Sequence, residues 1–554
     1  MSSPLTCISG GRVYDPAHGV DGVVREIWLK DGRIVAPPSD GHATYRLDAR
    51  GLIVMPGGVD MHCHIAGPKV NAGRKMRPDQ KRDAEPLLRT SQTHSGTLGS
   101  VPSTFATGYK YAGLGYTTAF DAAIPPLAAR HVHEEFEDTP CIDKGFFVLV
   151  GNNEFVLQAI KDNNPERLRA FLAWLTGATK AYALKAVNPG GVESWKQKQA
   201  GNVQDLDTVI DYFDITPRQI IQQLARAANT IGFPHPLHIH CNNLGLPGNW
   251  TTTLETMRVV EDQRAHFTHI QFHSYGGGGT DEGGFRSQVA ALSDYVNSHP
   301  NITVDVGQIL FGDTTSMTGD GPLGYYLQKV FGTKWFSADT ELESGCGIAP
   351  IRYKNTNLVH AWQWAIGLEW FLLVQNPWQI ALSTDHPNGG SFLSYPAIIK
   401  LLMDKHHRRA VLATCHASVQ NGSVLKDLDR EYTLNEICII TRAAPARMLG
   451  LPNKGHLGVG ADADITLYDP HPDLEQMFSL PKYVFKAGQL LIENTELRTP
   501  TNGKTLYVAP EYDPAIEQEL AAWFARYSTV QFRNYPVSRD YVPHSERVAV
   551  RLPS

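Results

Sequence analysis

The stretch PGGVDMHCH, residues 56–64, is an apolar, strand-like run that ends in two histidines separated by one residue. Alternate side chains of a β-strand point to the same side, so His62 and His64 share one face. Two imidazoles on one face at a strand end can bind one metal ion. A pair of hydrogen-bonded structural histidines is the alternative, and the pair alone does not decide between the two.

Seven more strand-like runs follow, separated by amphipathic or loop-rich stretches, which is typical of a parallel sheet built from βα units. Eight units favour a (β/α)8 TIM barrel with insertions over an open doubly wound sheet, which would carry a glycine-rich phosphate turn after its first strand. The clearest helix is predicted from 216 to 230, with Thr216 as N-cap and Pro217 in the first helical position. The candidate strands are GGVDMH near residue 59, YTTAFDAA near 118, GFFVLVGN near 148, YALKAV near 184, PLHIHC near 238, HIQFHS near 271, ITVDVG near 304 and QIALSTD near 382.

The segments on either side of the barrel predict a small second domain. Residues 1–56 contain short alternating runs and an Asp31-Gly32 hairpin turn, so they form the N-terminal part of a β-sandwich. The barrel spans 57–440. Residues 441–500 supply a closing helix, TRAAPARMLGL, and short strands that pair with the N-terminal sheet. Residues 501–554 form a C-terminal extension, an ordered arm that lies on a neighbour rather than a domain.

Composition excludes several classes of function. The net charge of -6 and the lack of lysine or arginine runs argue against nucleic acid binding. No stretch of about 18 apolar residues predicts a membrane span, and the N-terminus lacks the features of a secretory signal, so we expect no membrane association and a cytoplasmic location. The seven cysteines are scattered without a CxxC pair, as expected of reduced thiols. Cys63 and Cys241 lie beside histidines, but strand alternation points them away.

Two later strands repeat the histidine pattern. PLHIHCNN contains His238 and His240, and HIQFHS contains His269 and His273. Active sites in this fold gather at the carboxyl ends of the strands. His240 and His273, each last in its strand, are therefore the expected metal ligands, whereas His238 and His269 are expected to lie deeper, as core residues or as partners that orient a ligand imidazole. The opposite choice within either pair stays open.

Asp385 and Lys185 complete the candidate cluster. Asp385 follows QIALST at the eighth strand, where a carboxylate can bind metal and move a proton, although it could instead cap a turn. Lys185 lies in the apolar run YALKAV, where an ammonium is costly unless it is paired or chemically changed. Reaction with carbon dioxide would make it a carbamate that bridges two metal ions. A neutral or salt-bridged lysine is the alternative, and only the company of the other ligands argues against it.

The motifs resemble the amidohydrolase superfamily. HCH after MPGGVD, a strand lysine, two later strand histidines, STDH and KGHLGVGADADITLYDP all match its pattern. The blocks PGGVDMHCHIAGPKVNAGRKMRP, LKAVNPGGVESW, PLHIHCNNLGLPGNW, HIQFHSYG and ALSTDHPNGG are similar to the A subunits of formylmethanofuran dehydrogenases and to the corresponding subunits of bacterial formyltransferase/hydrolase complexes. This resemblance covers nearly the whole chain.

The resemblance implies a function and a metal centre. The family interconverts N-formylmethanofuran and water with methanofuran and formate, and its members work with other subunits of a complex. In the superfamily two divalent ions, for which zinc fits the histidine and carboxylate donors best, are bridged by N6-carboxylysine, here at Lys185. The proton shuttle is the aspartate, here Asp385. The implied metal ligands are His62, His64, Lys185, His240, His273 and Asp385.

Substrate contacts are expected from residues around these blocks. Arg74, Lys75 and Arg77 lie in GRKMRP, a predicted loop after the first strand, and could attract carboxylates of a methanofuran tail; an ordinary solvated loop is the alternative. Asn188 and His386 are further candidates for substrate contact.

Other functions stay open from the sequence. The low charged fraction of 19% lacks the enrichment common in hyperthermophile proteins and so favours a bacterial formyl hydrolase. The alternatives are an archaeal dehydrogenase subunit that condenses formate with methanofuran, another amide hydrolase such as a dihydropyrimidinase or dihydroorotase, and an inactive scaffold subunit.

Overall fold

The structure is a computed structural model, and it describes residues 4–83, 87–198, 205–277, 284–323, 336–338 and 346–551. Its centre is a nearly closed barrel of eight parallel strands, which confirms the predicted fold class. In barrel order the strands are Gly58–Cys63, Tyr116–Ile124, Asp143–Leu149, Ala183–Val187, Leu237–His240, Ala265–Phe267, Ile302–Asp305 and Ile380–Ala381.

The barrel closes between its first strand and the segment that follows its eighth. A single parallel bridge joins Cys63 to His386, and the backbone N–H of His64 donates to the carbonyl of His386 over 2.7 Å. Barrel closure therefore places the H-x-H motif directly beside the carboxyl end of the eighth strand.

One predicted strand is wrong. The sixth barrel strand is Ala265–Phe267, and the HIQFHS run instead forms a 3-10 helix over Ile270–His273. His269 ends the extended backbone because it adopts a left-handed conformation with φ 34°. Alternating apolar residues in this run mimic a strand, but they pack from a helical turn.

Helices surround the barrel. Pro217–Ile231 is the helix predicted from 216, and its Thr216 N-cap forms a capping box with Gln219. The others along the described chain are Pro68–Met76, Pro78–Asp83, Thr104–Gly113, Ala129–Glu137, Glu154–Lys161, Pro165–Thr179, Gly191–Lys198, Trp250–Val259, Val289–Ser298, Leu358–Leu373, Tyr395–Met403, Lys405–Leu412, Ala417–Gly422, Leu434–Cys438, Ala444–Leu449, Leu474–Ser479 and Ile516–Tyr527. Among the described residues, no helix is both long and apolar enough to cross a membrane.

A second, nine-stranded sheet combines both ends of the chain. The C-terminal strand Ile465–Tyr468 pairs antiparallel with Ile53–Pro56, as the sequence predicts. The edge strand Arg33–Val35 contacts the segment before Ile465–Tyr468, where the Ile34 N–H donates to the Ala461 carbonyl over 2.9 Å. A separate apolar core packs against this sheet. Its strands are Thr6–Asp15, Val20–Lys30, Arg33–Val35, Tyr45–Asp48, Ile53–Pro56, Ile465–Tyr468, Tyr483–Lys486, Gln489–Glu493 and Glu496–Leu497.

The described part of the C-terminal extension forms strands and a helix, and it packs on the barrel of the same chain. Thr505–Val508 lies beside the third barrel strand and pairs in parallel with Ser545–Val548. The helix Ile516–Tyr527 packs on Pro165–Thr179.

An inserted sheet covers the carboxyl ends of the barrel strands. Gly312–Thr318 and Cys346–Tyr353 form an antiparallel pair, with Phe336–Ala338 on the other side of the second strand. The insertion lies between barrel strands seven and eight. A two-stranded ribbon, Tyr275–Gly276 with Arg286–Ser287, lies after the sixth strand.

A buried ion cluster ties the barrel to the second sheet. Lys454 Nζ lies 2.5 Å from a carboxylate oxygen of Asp143, on the third barrel strand, and 3.0 Å from Asp464, which immediately precedes the strand Ile465–Tyr468 of the second sheet. Lys486 Nζ contacts the same two aspartates over 2.6 and 2.8 Å. The Asp143 and Asp464 carboxylates therefore depend on two ammonium groups for compensation inside the protein.

Replacing Lys454 with methionine should lower the free energy of unfolding by about 3–5 kcal/mol, since it leaves buried carboxylates uncompensated. Urea unfolding of the full chain measures this. The matched control is Lys482→Met, which removes an exposed ion pair of 3.4 Å with Asp469 and should cost less than about 1 kcal/mol. Equal losses in the two variants would contradict a structural role for the cluster.

Candidate metal centre

Five of the six predicted metal ligands line one cavity of about 250 Å³ at the carboxyl ends of the strands. All five are buried. They come from the first, fourth and fifth strands and from the turn after the eighth, so the barrel brings together residues far apart in sequence. These residues are His62, His64, Lys185, His240 and Asp385.

The first ligand group joins the H-x-H motif to the eighth strand. The Oδ1 atom of Asp385 lies 2.9 Å from Nε2 of His62 and 3.0 Å from Nε2 of His64. This oxygen has no hydrogen bond of good geometry among the described residues. Three donor atoms that converge in this way can hold a divalent ion.

The second ligand group contains His240, His269 and His273. Nδ1 of His240 lies 3.0 Å from Nε2 of His269. Among the described residues, neither ring nitrogen of His273 has a hydrogen-bond partner, although the ring is fully buried. Unpaired buried nitrogens are costly, and a metal ion would compensate them.

His269 was predicted to lie deep, and this is wrong. The sixth strand ends at Phe267, so His269 stands past the strand end and lines the cavity, whereas His273 does not line it. The structure therefore adds His269 to the possible ligands and keeps His273 in the same group. We propose His269 as the ligand that faces His240.

Lys185 reaches the same cavity from the fourth strand. Among the described residues, its Nζ atom has no hydrogen-bond partner. Burial lowers the pKa of Lys185 to about 7, although Asp305 and Asp385 raise it. A large part of the amine is then neutral near pH 7, which is the form that reacts with carbon dioxide. The residues present fit a carbamate bridge.

Three further aspartates contact ring nitrogens of the candidate histidine ligands, and none of these aspartates was predicted from the sequence. Asp305 Oδ1 lies 3.2 Å from Nδ1 of His62, Asp121 Oδ1 lies 3.2 Å from Nδ1 of His64, and Asp320 Oδ2 lies 3.3 Å from Nε2 of His240. Such carboxylates orient metal-binding imidazoles. In YTTAFDAA and ITVDVG the signal was present as an acidic residue inside an apolar strand. Asp320 lies within the insertion, just after Gly312–Thr318, and had no such signal.

Electrostatics at the centre favours cations. Burial raises the pKa of a carboxyl group, but His62 and His269 outweigh it and hold the pKa of Asp385 well below its usual range. Burial also acts on Asp305, yet His62 and His266 keep its pKa far below the usual value. Both carboxylates are therefore charged at neutral pH, in a site that can compensate them with divalent ions.

Asn188 and His386 support the site rather than line its cavity. Asn188 Nδ2 donates to Asp320 Oδ1 over 3.2 Å, and its Oδ1 accepts from Asn242 over 2.8 Å. Burial lowers the pKa of His386 to about 3, and the backbone of this residue closes the barrel. A role of either residue in substrate binding stays a prediction.

The sequence predicted a loop for the segment that carries Arg74, Lys75 and Arg77. This prediction is wrong, because Pro68–Met76 is a helix and Arg77 follows directly after it. Arg74 pairs with Glu135 over 3.0 Å, and Arg77 pairs with Asp313 over 2.9 Å. Lys75 is exposed. None of the three lines the cavity, so contact with a substrate tail is not supported by this geometry.

The two cysteines beside the ligands lie outside both groups. Cys63 Sγ donates to the carbonyl of Phe120 over 3.2 Å, and burial raises the pKa of Cys241 to about 12. Neither sulfur belongs to a group of converging metal-binding donors among the described residues.

Comparison with known proteins places this arrangement in a family. A family model described as the amidohydrolase family matches residues 47–491. The chain belongs to the amidohydrolase family. Metal binding is typical of amidohydrolases, and the histidine and aspartate groups of this chain could hold metal ions.

This amidohydrolase has relatives that match over almost its whole length. It is 45% identical to protein FwdA of Methanocaldococcus jannaschii, over 96% of this chain and 97% of that protein. It is 38% identical to the A subunit of the formyltransferase/hydrolase complex Fhc of Methylorubrum extorquens, over 94% of each. A crystal structure of the FhcABCD complex from Methylorubrum extorquens with methylofuran contains a similar chain, with a TM-score of 0.93 and 37% identity over 99% of this chain and 100% of that one. The resemblance seen in the sequence is confirmed.

The two candidate histidines can be separated by metal analysis of single variants. His269→Ala should lower the bound metal per chain, because its Nε2 faces Nδ1 of His240 in the cavity. His273→Ala, the matched control from the same group, should keep more of the bound metal. Metal content is measured in the purified full chain after dialysis. Loss of the ion only in His273→Ala would reverse the assignment.

Proposed function

We propose that this amidohydrolase hydrolyses N-formylmethanofuran to formate and methanofuran in one-carbon metabolism. The chemistry rests on one observation: two groups of metal-binding donors and the unpaired amine of Lys185 meet at one buried cavity. The choice of substrate rests on the relatives, one of which is named as part of a formyltransferase/hydrolase complex and was crystallised, as FhcABCD, with methylofuran.

The residues that would hold two divalent ions are those of the two ligand groups. His62, His64 and Asp385 would bind one ion, and His240 with His269 or His273 the other. Lys185 would bridge them as N6-carboxylysine, formed when its neutral amine attacks carbon dioxide and loses a proton. Zinc suits these nitrogen and oxygen donors. Such ions, when bound, lower the pKa of a water molecule and polarise a carbonyl oxygen.

Asp385 has the position and charge of a proton shuttle. In the hydrolysis a water oxygen forms a bond to the formyl carbon, the bond from that carbon to nitrogen breaks, and a proton must reach the nitrogen. The Asp385 carboxylate, ionised because its pKa is held low, accepts the proton from water and delivers it to the leaving amine. Without that proton the amine would leave as an unstable anion.

The cavity wall suits an uncharged, flat group next to the formyl amide. Beyond the ligands, most of its lining is apolar, including Leu244, Phe272, Phe285, Ile351 and Tyr353. Apolar walls exclude water and would bind a furan ring by its faces.

We further propose that the chain works as one component of such a complex. FwdA, at 45% identity, keeps the archaeal alternative, in which the same residues would condense formate with methanofuran; hydrolysis is the reverse of that reaction at the same site. The sequence-based preference for the bacterial enzyme has no support from the identities, because 45% exceeds 38%.

Formate release from N-formylmethanofuran tests the proposal. The zinc-loaded chain, with and without co-purifying subunits, should release formate, whereas Asp385→Asn should reduce kcat at least about 100-fold, because it removes the proton acceptor. Asp294→Asn, an exposed position on the helix Val289–Ser298, is the control and should keep full activity.

Metal content is measured for every variant in this assay, since Asp385 is also a proposed ligand. Hydrolysis of hydantoin or dihydroorotate without formate release would favour the other amide hydrolases. A folded chain with subunits present, with less than one ion and no formate, would indicate a scaffold.

A further inference from the structure

A column of three buried histidines runs below the metal centre through the barrel interior. Nε2 of His235 lies 2.9 Å from Nδ1 of His238, and Nε2 of His238 lies 3.2 Å from Nδ1 of His62. At the far end Nδ1 of His235 lies 2.9 Å from the carbonyl oxygen of Met448. Two of these rings have no exposed surface, and His62 is 1% exposed.

The strand geometry explains the column. His238 and His240 are alternate residues of the fifth barrel strand, so both point into the barrel, one layer apart. His240 reaches the cavity, and His238 lies beneath it against His62. His235 precedes the strand and continues the column toward the amino-terminal end of the barrel.

The carbonyl of Met448 fixes the direction of the hydrogen bonds. A carbonyl oxygen can only accept, so Nδ1 of His235 carries the proton and donates it. Nε2 of a neutral His235 is then an acceptor, and Nδ1 of His238 must donate to it. Nε2 of His238 in turn accepts, and Nδ1 of His62 donates.

At the metal end of the column, the contacts of His62 independently require the same direction of hydrogen bonding. Nδ1 of His62 faces the carboxylate of Asp305 over 3.2 Å and the hydroxyl of Thr268, both of which can accept its proton. Nε2 of His62 faces Asp385 in the first ligand group and must present a lone pair to an ion. If His238 had the other tautomer, two N–H groups would face each other across 3.2 Å.

We propose that His235 and His238 are positioning residues that set the tautomer and ring orientation of His62 for metal binding, with the Met448 carbonyl as the fixed end. This inference rests on the metal site of the proposed function but not on its substrate. Asp305 and the Thr268 hydroxyl face the same N–H of His62, and His238 faces it from below, so rotation of the ring would lose all three acceptors.

The test compares zinc affinity in variants of the full chain, measured by competition with a chelator. His238→Phe fills the space but removes the acceptor, and should weaken zinc binding about 10–100-fold, as the loss of such partners usually does. His238→Gln returns an acceptor oxygen and should recover most of the affinity. His133→Phe is the matched control, because His133 is fully buried and bonds only to the carbonyl of Thr179 among the contacts of the described chain. It should lower stability without changing zinc affinity.

Unchanged zinc affinity in His238→Phe would overturn the proposal, as would equal losses in the Phe and Gln variants. If His238→Phe does not fold, nitrogen NMR of the wild-type chain labelled with ¹⁵N-histidine decides, because it distinguishes the two tautomers. Protons on Nδ1 of His235 and His238 are expected, and a proton on Nε2 of His238 would refute the column.

The two proposals fail in different ways. A wild-type chain that binds zinc but releases no formate refutes the proposed function and leaves the affinity comparison intact. A wild-type chain that binds no zinc refutes the positioning role as well.

Discussion

The buried amine of Lys185 is the constraint on which the centre depends. An ammonium inside an apolar barrel strand is expensive, and here no hydrogen bond of the described residues compensates it. Burial brings the pKa of Lys185 to about 7, which makes the neutral amine accessible under ordinary conditions. Conversion to a carbamate would turn a costly cation into an anion that two divalent ions stabilise. The same burial that destabilises the lysine thus prepares it for the proposed bridge.

Buried negative charge, as well as the geometry of the ligands, prepares the centre for cations. Four aspartates with almost no exposed surface lie at the centre, one of them in the first ligand group, and they outnumber the two buried lysines there, Lys185 and Lys69. A site with such an excess of negative charge is incomplete without cations. The carboxylates are Asp121, Asp305, Asp320 and Asp385. Three of them lie behind histidines, so they fix which ring nitrogen faces the cavity while they supply the charge.

Much of the fold and part of the site could be predicted from the sequence, because alternation and burial are local properties. Seven of the eight barrel strands lie where the apolar runs place them, and His62, His64 and His240 follow from alternate residues at strand ends. The prediction of the sixth strand was wrong because HIQFHS has strand-like alternation, whereas tertiary contacts determine its backbone conformation. The N–H of His269 donates to Asp305 over 3.2 Å, a contact that no local pattern reveals.

Contacts made by residues of the insertion were harder still to predict from the sequence. Asp320 reaches His240 only because the inserted sheet covers the barrel mouth, and Arg77 is paired by Asp313, the second residue of the same sheet's first strand. Such pairs join positions far apart in sequence, and composition does not predict them.

We propose a pair of ions bridged by carboxylated Lys185, and anomalous diffraction at the zinc edge tests this most directly. Crystals of the full chain grown with zinc and bicarbonate should give two anomalous peaks about 3.5–4 Å apart, as in other two-metal sites, with planar density extending from Nζ of Lys185 between them. A single peak, or two peaks beside an unmodified lysine, would contradict the account.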